Sequence, residues 1–197
     1  MLEFVEEGHL YLYDGVIIPS VSEILGFIFP DKYKDVPKEI LKDKADYGTL
    51  VHKLCEELDT GKTLEELKQE YKFNYIIEAT LKQHLKLREK HNIVPISMEQ
   101  RVCYKGLYGG TYDLEAYVDS ELSLIDRKTT AELDKEYLSW QLSFYELAKG
   151  KKYDKLYVEW LPKKGLGQFI EIERKSKKEL LRVLKEYLDC INNEWGV

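Results

Sequence analysis

The spacing of the apolar residues changes from helical to strand-like near residue 92 of this 197-residue chain. Between Pro37 and His91 apolar residues recur every three or four positions, as on one face of a helix. Between Val94 and Lys128 three short segments rich in Val, Ile, Tyr and Thr follow one another, separated by Gly-rich or Asp-Ser turns. The chain must therefore place a wall of helices, over about residues 37–91, beside an antiparallel meander of three strands.

The segments on either side of this central part add further helices and strands. Asp14-Gly15 lies between two alternating apolar segments and predicts a hairpin over about residues 9–20. Residues 134–148 predict a helix, 153–161 and 168–173 predict strands, and 176 to about 195 predicts a final amphipathic helix. We therefore predict an α/β fold in which a mixed sheet, formed by the meander, a helix and further strands, is flanked by helices.

Composition limits the class of protein. With 44% hydrophobic residues the chain can bury one sizeable core, and we expect a single domain over residues 1–197. Its formal charge of -6 excludes a uniformly basic surface but not a local basic groove. Three widely spaced cysteines suggest neither a disulfide framework nor a cysteine metal site. We see no signal peptide and no apolar run of roughly 18 to 20 residues, and we expect a cytoplasmic protein without a membrane partner.

Asp126 and Lys128 are two residues apart in a predicted strand, so their side chains emerge on the same face. Asp113 follows the turn at Gly109-Gly110 on the preceding strand, which can bring a second carboxylate to the same end of the sheet. Carboxylate oxygens are preferred ligands of Mg²⁺ and Mn²⁺, and such an ion activates water for attack on a phosphate. Lys128 would orient that water or stabilise the charge of the transition state.

An isolated Asp-x-Lys is a weak signal. In roughly nine cases in ten it marks a solvated pair at a strand edge, with Asp113 then a turn residue. Here the context is more specific, because Gly-Thr-Tyr-Asp precedes the pair and Thr-Thr follows it. A predicted helix with the sequence Gln-Leu-Ser-Phe-Tyr comes next. The combination favours a catalytic site.

These motifs resemble those of the PD-(D/E)xK nuclease superfamily, and within it the RecB-like branch that includes phage and mitochondrial genome-maintenance exonucleases. The resemblance covers most of the chain. The residues that carry it are Gly48 and His52 of a Gly-x-x-x-His helix, Gly110–Asp113 of a Gly-Thr-x-Asp strand, Asp126–Thr129 of Asp-x-Lys-Thr, Gln141 and Tyr145 of a Gln-x-x-x-Tyr helix, and the opening segment Pro19–Leu25.

The resemblance implies a restriction-endonuclease-like core and a DNA exonuclease dependent on Mg²⁺ or Mn²⁺, acting in recombination or repair in a bacterial or phage setting. The implied metal ligands are His52, Asp113, Asp126 and the backbone carbonyl of Arg127, with Asp113, Asp126 and Lys128 catalytic. Some relatives hold an iron-sulfur cluster through four cysteines that this chain lacks, so we expect no such cluster. An endonuclease or resolvase on the same core, or a non-catalytic nucleic-acid-binding module, is the alternative.

The histidine and Glu99 leave alternatives open. On the residues alone His52 has about one chance in five of being a metal ligand, since an inward histidine on a helix is more often a core residue. Gly48, one turn earlier, suggests a close backbone approach on that face. Glu99 and Thr129 could lie near the metal, although Glu99 could equally be an exposed strand residue. We expect His9, His84 and His91 on the surface or in turns.

Substrate contacts are the least constrained part of the prediction. Gln141 and Tyr145 share a helix face, and they either complete an amphipathic helix or contact the DNA strand. Lys42 and Lys44 could line a groove for the phosphate backbone. The tyrosines proposed for stacking on unpaired bases are Tyr33, Tyr47, Tyr104 and Tyr108. A homo-oligomer and a separate recombination partner protein both stay open.

Overall fold

The computed structural model describes residues 1–32 and 34–194. Tyr33, one of the tyrosines suggested for base stacking, and Trp195, at the end of the predicted last helix, lie outside these residues. In chain order the elements are β1 (Leu2–Val5), β2 (Leu10–Tyr13), β3 (Val16–Ile18), α1 (Val21–Ile28), α2 (Lys38–Asp59), α3 (Leu64–Tyr71), α4 (Tyr75–Lys90), β4 (Val94–Tyr104), β5 (Tyr108–Val118), β6 (Glu121–Lys128), α5 (Lys135–Lys149), β7 (Lys155–Trp160), β8 (Gln168–Glu171) and α6 (Lys177–Glu194).

The main sheet has five strands in the order β4-β5-β6-β7-β8. Neighbouring strands are antiparallel except β6 and β7, which run parallel. A parallel pair needs a crossover connection, and here α5 provides it. The predicted α/β fold with a mixed sheet is confirmed. Its central strand, β6, carries the Asp-x-Lys sequence.

A second, three-stranded sheet lies at the N-terminus, in the order β1-β2-β3. The turn between β2 and β3 contains Asp14 and Gly15, both at positive φ (51° and 79°), as a tight hairpin requires. The strand β1, which pairs with β2 over four residues, is not predicted from the sequence. A single bridge from Ser20 to Gly109 joins the chain after β3 to β5. The small sheet is thereby held beside the end of β5.

Helices cover both faces of the main sheet. On one face α1, α5 and α6 enclose the largest apolar core together with Leu124 and Val158. On the other face α2, α3 and α4 form the helical wall around Leu54 and Leu81, and Phe169 of β8 packs against both this core and the sheet residues around Ile125. Within the part of the chain that the structure describes, no helix has the length and apolar composition needed to cross a bilayer.

Candidate metal centre

The strands β5 and β6 separate next to the two predicted catalytic carboxylates, Asp113 and Asp126. The β5–β6 pairing reaches Leu114–Ile125 and goes no further toward Asp113 and Asp126. Beyond it the backbone N–H of Arg127 donates a hydrogen bond of 2.6 Å to Asp113 Oδ2. The N–H and C=O of one residue in an extended strand face the same neighbour. The Arg127 carbonyl is therefore turned toward the same gap, as the predicted ligand role requires.

His52 approaches this gap from α2. Its Nδ1 lies 3.6 Å from Asp113 Oδ2. Gly48, one turn earlier, permits the approach, because a Cβ there would lie 3.3 Å from Thr129 Oγ1. Burial lowers the pKa of the His52 imidazole, so the ring is neutral near pH 7 and retains a lone pair for a metal. Of the two readings left open for His52, this position fits the ligand.

Glu99 joins the same cluster from β4. Its backbone has φ of 48°, a left-handed conformation that costs energy in a non-glycine residue. One ligand atom each from His52, Glu99 and Asp113 lie within 4.8 Å of one another. Within residues 1–32 and 34–194, this is the one group of His, Cys, Asp or Glu side chains with metal-binding spacing. Glu99 lies opposite Asp113, between the paired residues Met98–Leu114 and Gln100–Tyr112, so the β4–β5 register places both carboxylates on one face.

Asp126 is close to this cluster but outside it. The residue is only 2% exposed, and Lys128 Nζ lies 2.6 Å from its Oδ2. This contact is a buried ion pair, in which the carboxylate of Asp126 faces the ammonium of Lys128. Burial raises the pKa of Asp126 to about 7, with Lys128 opposing the rise and Asp113 adding to it. The structure therefore brings Asp126 to the centre without grouping it with His52.

The donor set suits a hard divalent cation. A ring nitrogen and two carboxylates within 4.8 Å, with the buried carboxylate of Asp126 close by, are ligands that Mg²⁺ or Mn²⁺ accepts. The nitrogen favours Mn²⁺ somewhat over Mg²⁺. Partial desolvation and then the carboxylate of Asp113 raise the pKa of the Glu99 carboxyl to about 7, although Glu99 is exposed as a residue. A cation at this centre would therefore compete with protons for the carboxylates of Glu99 and Asp126.

We expect the Mn²⁺ affinity to depend on pH for this reason. The pKa values of Glu99 and Asp126 are raised to about 7, and a carboxyl must lose its proton to bind metal. Affinity should therefore fall as pH drops below about 7, and binding at about pH 6 should release protons. Calorimetry in buffers of different ionisation enthalpy measures that release. Glu99→Gln should release fewer protons than wild type, and equal release would contradict the assignment of Glu99.

A pocket of about 190 Å³ opens beside the centre. Its wall includes Tyr11 of the small sheet and Tyr145 of α5, together with Glu99 and Asp113. Tyr11 shares a hydrogen bond of 2.8 Å with Thr111 Oγ1, which fixes the ring at the rim. The small sheet therefore closes one side of the centre and leaves a narrow space next to it.

Gln141 and Tyr145 are both buried, 8% and 6% exposed. Gln141 Nε2 donates to the Tyr145 hydroxyl at 3.2 Å, and Gln141 Oε1 has no partner among the described residues. Burial and then the carboxylates of Asp126 and Asp113 raise the pKa of Tyr145, so its hydroxyl stays protonated. Tyr145 lines the pocket, whereas Gln141 does not and can act there only through Tyr145.

The predicted basic groove is not part of the pocket. Lys42 and Lys44 are exposed on α2, and Lys42 Nζ pairs with Asp46 Oδ2 at 3.3 Å. At about 100° per residue they lie some 80° to either side of the direction of His52, about 12 to 15 Å away along the helix axis. They flank the face that carries His52. Any contact they make with DNA is therefore at a distance from the centre.

Two of the expectations for aromatic and histidine side chains were wrong. Tyr108 is 0% exposed and packs on Phe144, so it cannot stack on a base. His84 is also 0% exposed, and it bonds Glu159 and Asp59 beneath the sheet. The two carboxylates that hold His84 are distant from it in the sequence, so no ligand-like spacing marks this histidine.

The comparisons with known proteins leave the function open. No family model matches the chain, and no curated protein matches it. Among solved structures, that of the protein SSO0001 matches with a TM-score of 0.39 and 14% identity, covering 73% of this chain and 86% of that one. At this TM-score the likeness supports no inference about fold family or function.

Proposed function

We propose that this protein is a metal-dependent deoxyribonuclease of the PD-(D/E)xK superfamily with a restriction-endonuclease-like core. The observation that carries the proposal is the grouping of His52, Glu99 and Asp113 within 4.8 Å beside the Asp126–Lys128 pair. This grouping joins four separate elements, α2, β4, β5 and β6, at one end of the sheet. Motif resemblance and spatial convergence share His52 and Asp113, and both lie beside the Asp126–Lys128 pair.

The residues of the centre would share two tasks in the proposed reaction, binding of the cation and stabilisation of charge on the phosphate. His52, Glu99 and Asp113 would hold the cation, and Asp126 with the Arg127 carbonyl would complete its coordination. When bound, Mg²⁺ or Mn²⁺ supplies Lewis acidity toward the phosphate and an activated water. Burial disfavours a charge on Lys128, but the carboxylates of Asp126 and Asp113 outweigh it and raise the pKa of Lys128. Lys128 therefore stays cationic and can stabilise negative charge on the phosphate.

The proposed substrate is DNA, cut from an end. The small sheet and Tyr145 line a pocket of about 190 Å³ beside the centre, where one DNA strand would bind. Lys42 and Lys44 would then meet the backbone further along that strand. The preference for an exonuclease, and a role in bacterial or phage recombination or repair, rest on the motif resemblance.

Digestion of end-labelled linear single- and double-stranded DNA, beside closed circular DNA, tests the proposal. We expect linear DNA to shorten with Mg²⁺ or Mn²⁺, circles to stay intact, and EDTA to stop the reaction. Cleavage of circles would instead identify an endonuclease or resolvase on the same centre. Binding of DNA without cleavage under either metal would reject the enzyme and leave the non-catalytic module.

A further inference from the structure

Beneath the candidate centre lies a buried network of charged side chains that the sequence analysis did not foresee. Its middle is the guanidinium of Arg127, which points to the face opposite Asp126 and Lys128 because strand neighbours alternate. Arg127 Nε donates to Glu159 Oε2 at 2.9 Å, and Nη2 bonds Asp59 Oδ2. Arg127 and Glu159 are 0% and 1% exposed. Charges buried to this degree are held in one geometry, since an unpaired charge would be costly there.

Two residues of α4 extend the network. His84 Nδ1 lies 2.7 Å from Glu159 Oε1, and its Nε2 lies 3.2 Å from Asp59 Oδ1. Burial disfavours the charged ring, but Glu159, Cys55 and Asp59 together outweigh it and raise the pKa of His84 well above its usual value. Arg88 Nη1 lies 2.7 Å from Asp59 Oδ1. Asp59 is therefore held by three cationic partners, Arg127, Arg88 and His84, and Glu159 by two, Arg127 and His84.

The network fixes α2 against β6 on one side of His52. Asp59 is seven positions after His52, and seven residues return to within about 20° of the same helix face. Gly48, against Thr129 Oγ1, is the corresponding contact on the other side of His52. His52 thus lies between two attachments of its helix to the end of β6. Arg127 therefore acts on both sides of the strand. Its side chain bonds Asp59 of α2, and its backbone N–H donates a hydrogen bond to Asp113.

We propose that Arg127, clamped by Asp59 and Glu159, is a positioning residue that sets Asp113 and His52 to the spacing a cation needs. The proposal deepens the proposed nuclease function, on whose metal centre it rests. It assigns to the residue between Asp126 and Lys128 a role through its side chain, in addition to the predicted role of its carbonyl. Asp59, Glu159 and His84 then serve the centre from beneath the sheet, without contact with substrate.

The test uses Glu159→Gln, which removes one charge with little change of shape. Glu115→Gln is the matched control, because Glu115 is also a buried carboxylate held by cations, Lys149 and Lys151, but does not touch Arg127. We expect the Mn²⁺ affinity of Glu159→Gln to fall about 10- to 100-fold, with a lower kcat for DNA and an unchanged KM. Glu115→Gln should keep the wild-type affinity.

The backbone amide of Arg127 gives a readout that does not depend on nuclease activity. In the wild-type protein this N–H donates to Asp113 Oδ2 with a nitrogen-to-oxygen distance of 2.6 Å. Its proton should therefore resonate far downfield in an NMR spectrum recorded without metal. Glu159→Gln should move it upfield, whereas Glu115→Gln should not. A folded Glu159→Gln with an unmoved amide and unchanged Mn²⁺ affinity would overturn the proposal. If the wild-type protein binds Mn²⁺ but does not cut DNA, the nuclease proposal is rejected. The Mn²⁺ affinity and the chemical shift of the Arg127 amide would still test the positioning role of Arg127.

If Glu159→Gln does not fold, Arg88→Ala decides. Arg88 is partly exposed, with 21% of its side chain accessible, so its removal loosens Asp59 without stranding a buried cation. We expect a smaller loss of Mn²⁺ affinity and a smaller upfield movement of the Arg127 amide. A folded Arg88→Ala that changes neither would overturn the proposal.

Discussion

Lys128→Ala should lower metal-dependent DNA cleavage by about 10² to 10³-fold, the usual cost of removing one preorganised group that stabilises the transition state. Lys128 is the cation nearest to the carboxylate of Asp126, with Nζ 2.6 Å from Oδ2. The alanine leaves the four candidate metal ligands and the Arg127 carbonyl in place. Single-turnover digestion of end-labelled linear DNA with Mn²⁺ measures the loss, and circular dichroism checks that the variant is folded.

Lys151→Ala is the matched control for this prediction. Its Nζ lies 2.6 Å from Glu115 Oε1, the same separation as in the Lys128–Asp126 pair, and Glu115 is buried as well. Lys151 is outside the candidate centre, so its removal should leave the cleavage rate unchanged. Equal rates for Lys128→Ala and wild type would reject the catalytic role of Lys128, and equal losses in both variants would point to a general loss of structure.

Gly110→Ala should destabilise the fold by about 1 to 3 kcal/mol, the range for overpacking a well-packed core. A Cβ at Gly110 would lie 2.7 Å from Tyr145 Cε1 and 3.0 Å from Val21 Cγ2. Neither neighbour can retreat easily, because Tyr145 and Val21 are 6% and 1% exposed. At about 2 to 4 °C per kcal/mol for a chain of this size, the melting temperature should drop by several degrees.

Gly26→Ala provides the opposite expectation. Gly26 lies inside α1, and a Cβ there would have no heavy atom within 4 Å. Alanine favours a helix over glycine by about 1 kcal/mol, so this variant should melt at a higher temperature than wild type. Thermal unfolding of the two variants in parallel separates the steric effect from the general effect of adding a methyl group. A Gly110→Ala protein as stable as wild type would contradict the packing around Tyr145.

The strand part of the candidate centre could be predicted because it follows from local rules. Alternation along a strand places Asp126 and Lys128 on one face, and a hairpin-like connection brings Asp113 beside them. Gly48 could also be interpreted correctly, since a glycine in a helix interior needs a reason such as the contact with Thr129. Each of these inferences uses residues that are close in sequence or a standard strand geometry.

Other features depend on contacts that no local pattern encodes. Asp59 and Arg127 are far apart in the sequence, and their pairing follows only when α2 packs beneath β6. Glu99 lies opposite Asp113 only once β4 pairs with β5, and neither its residue type nor its neighbours in sequence require its positive φ. The strand β1 pairs with β2 in only four residues, too few for a clear period. Tertiary packing decides all three.

The order of the strands has a consequence for how the protein would exchange a bound ion with solvent. Asp126 and Arg127 belong to the central strand β6, which has hydrogen-bonded neighbours on both sides and opens only when much of the sheet opens. Glu99 belongs to β4, the edge strand, which can separate from β5 in a smaller opening. One carboxylate can thus detach while the others keep their places. Ion exchange would proceed by brief opening of the β4 edge, with the rest of the centre remaining assembled.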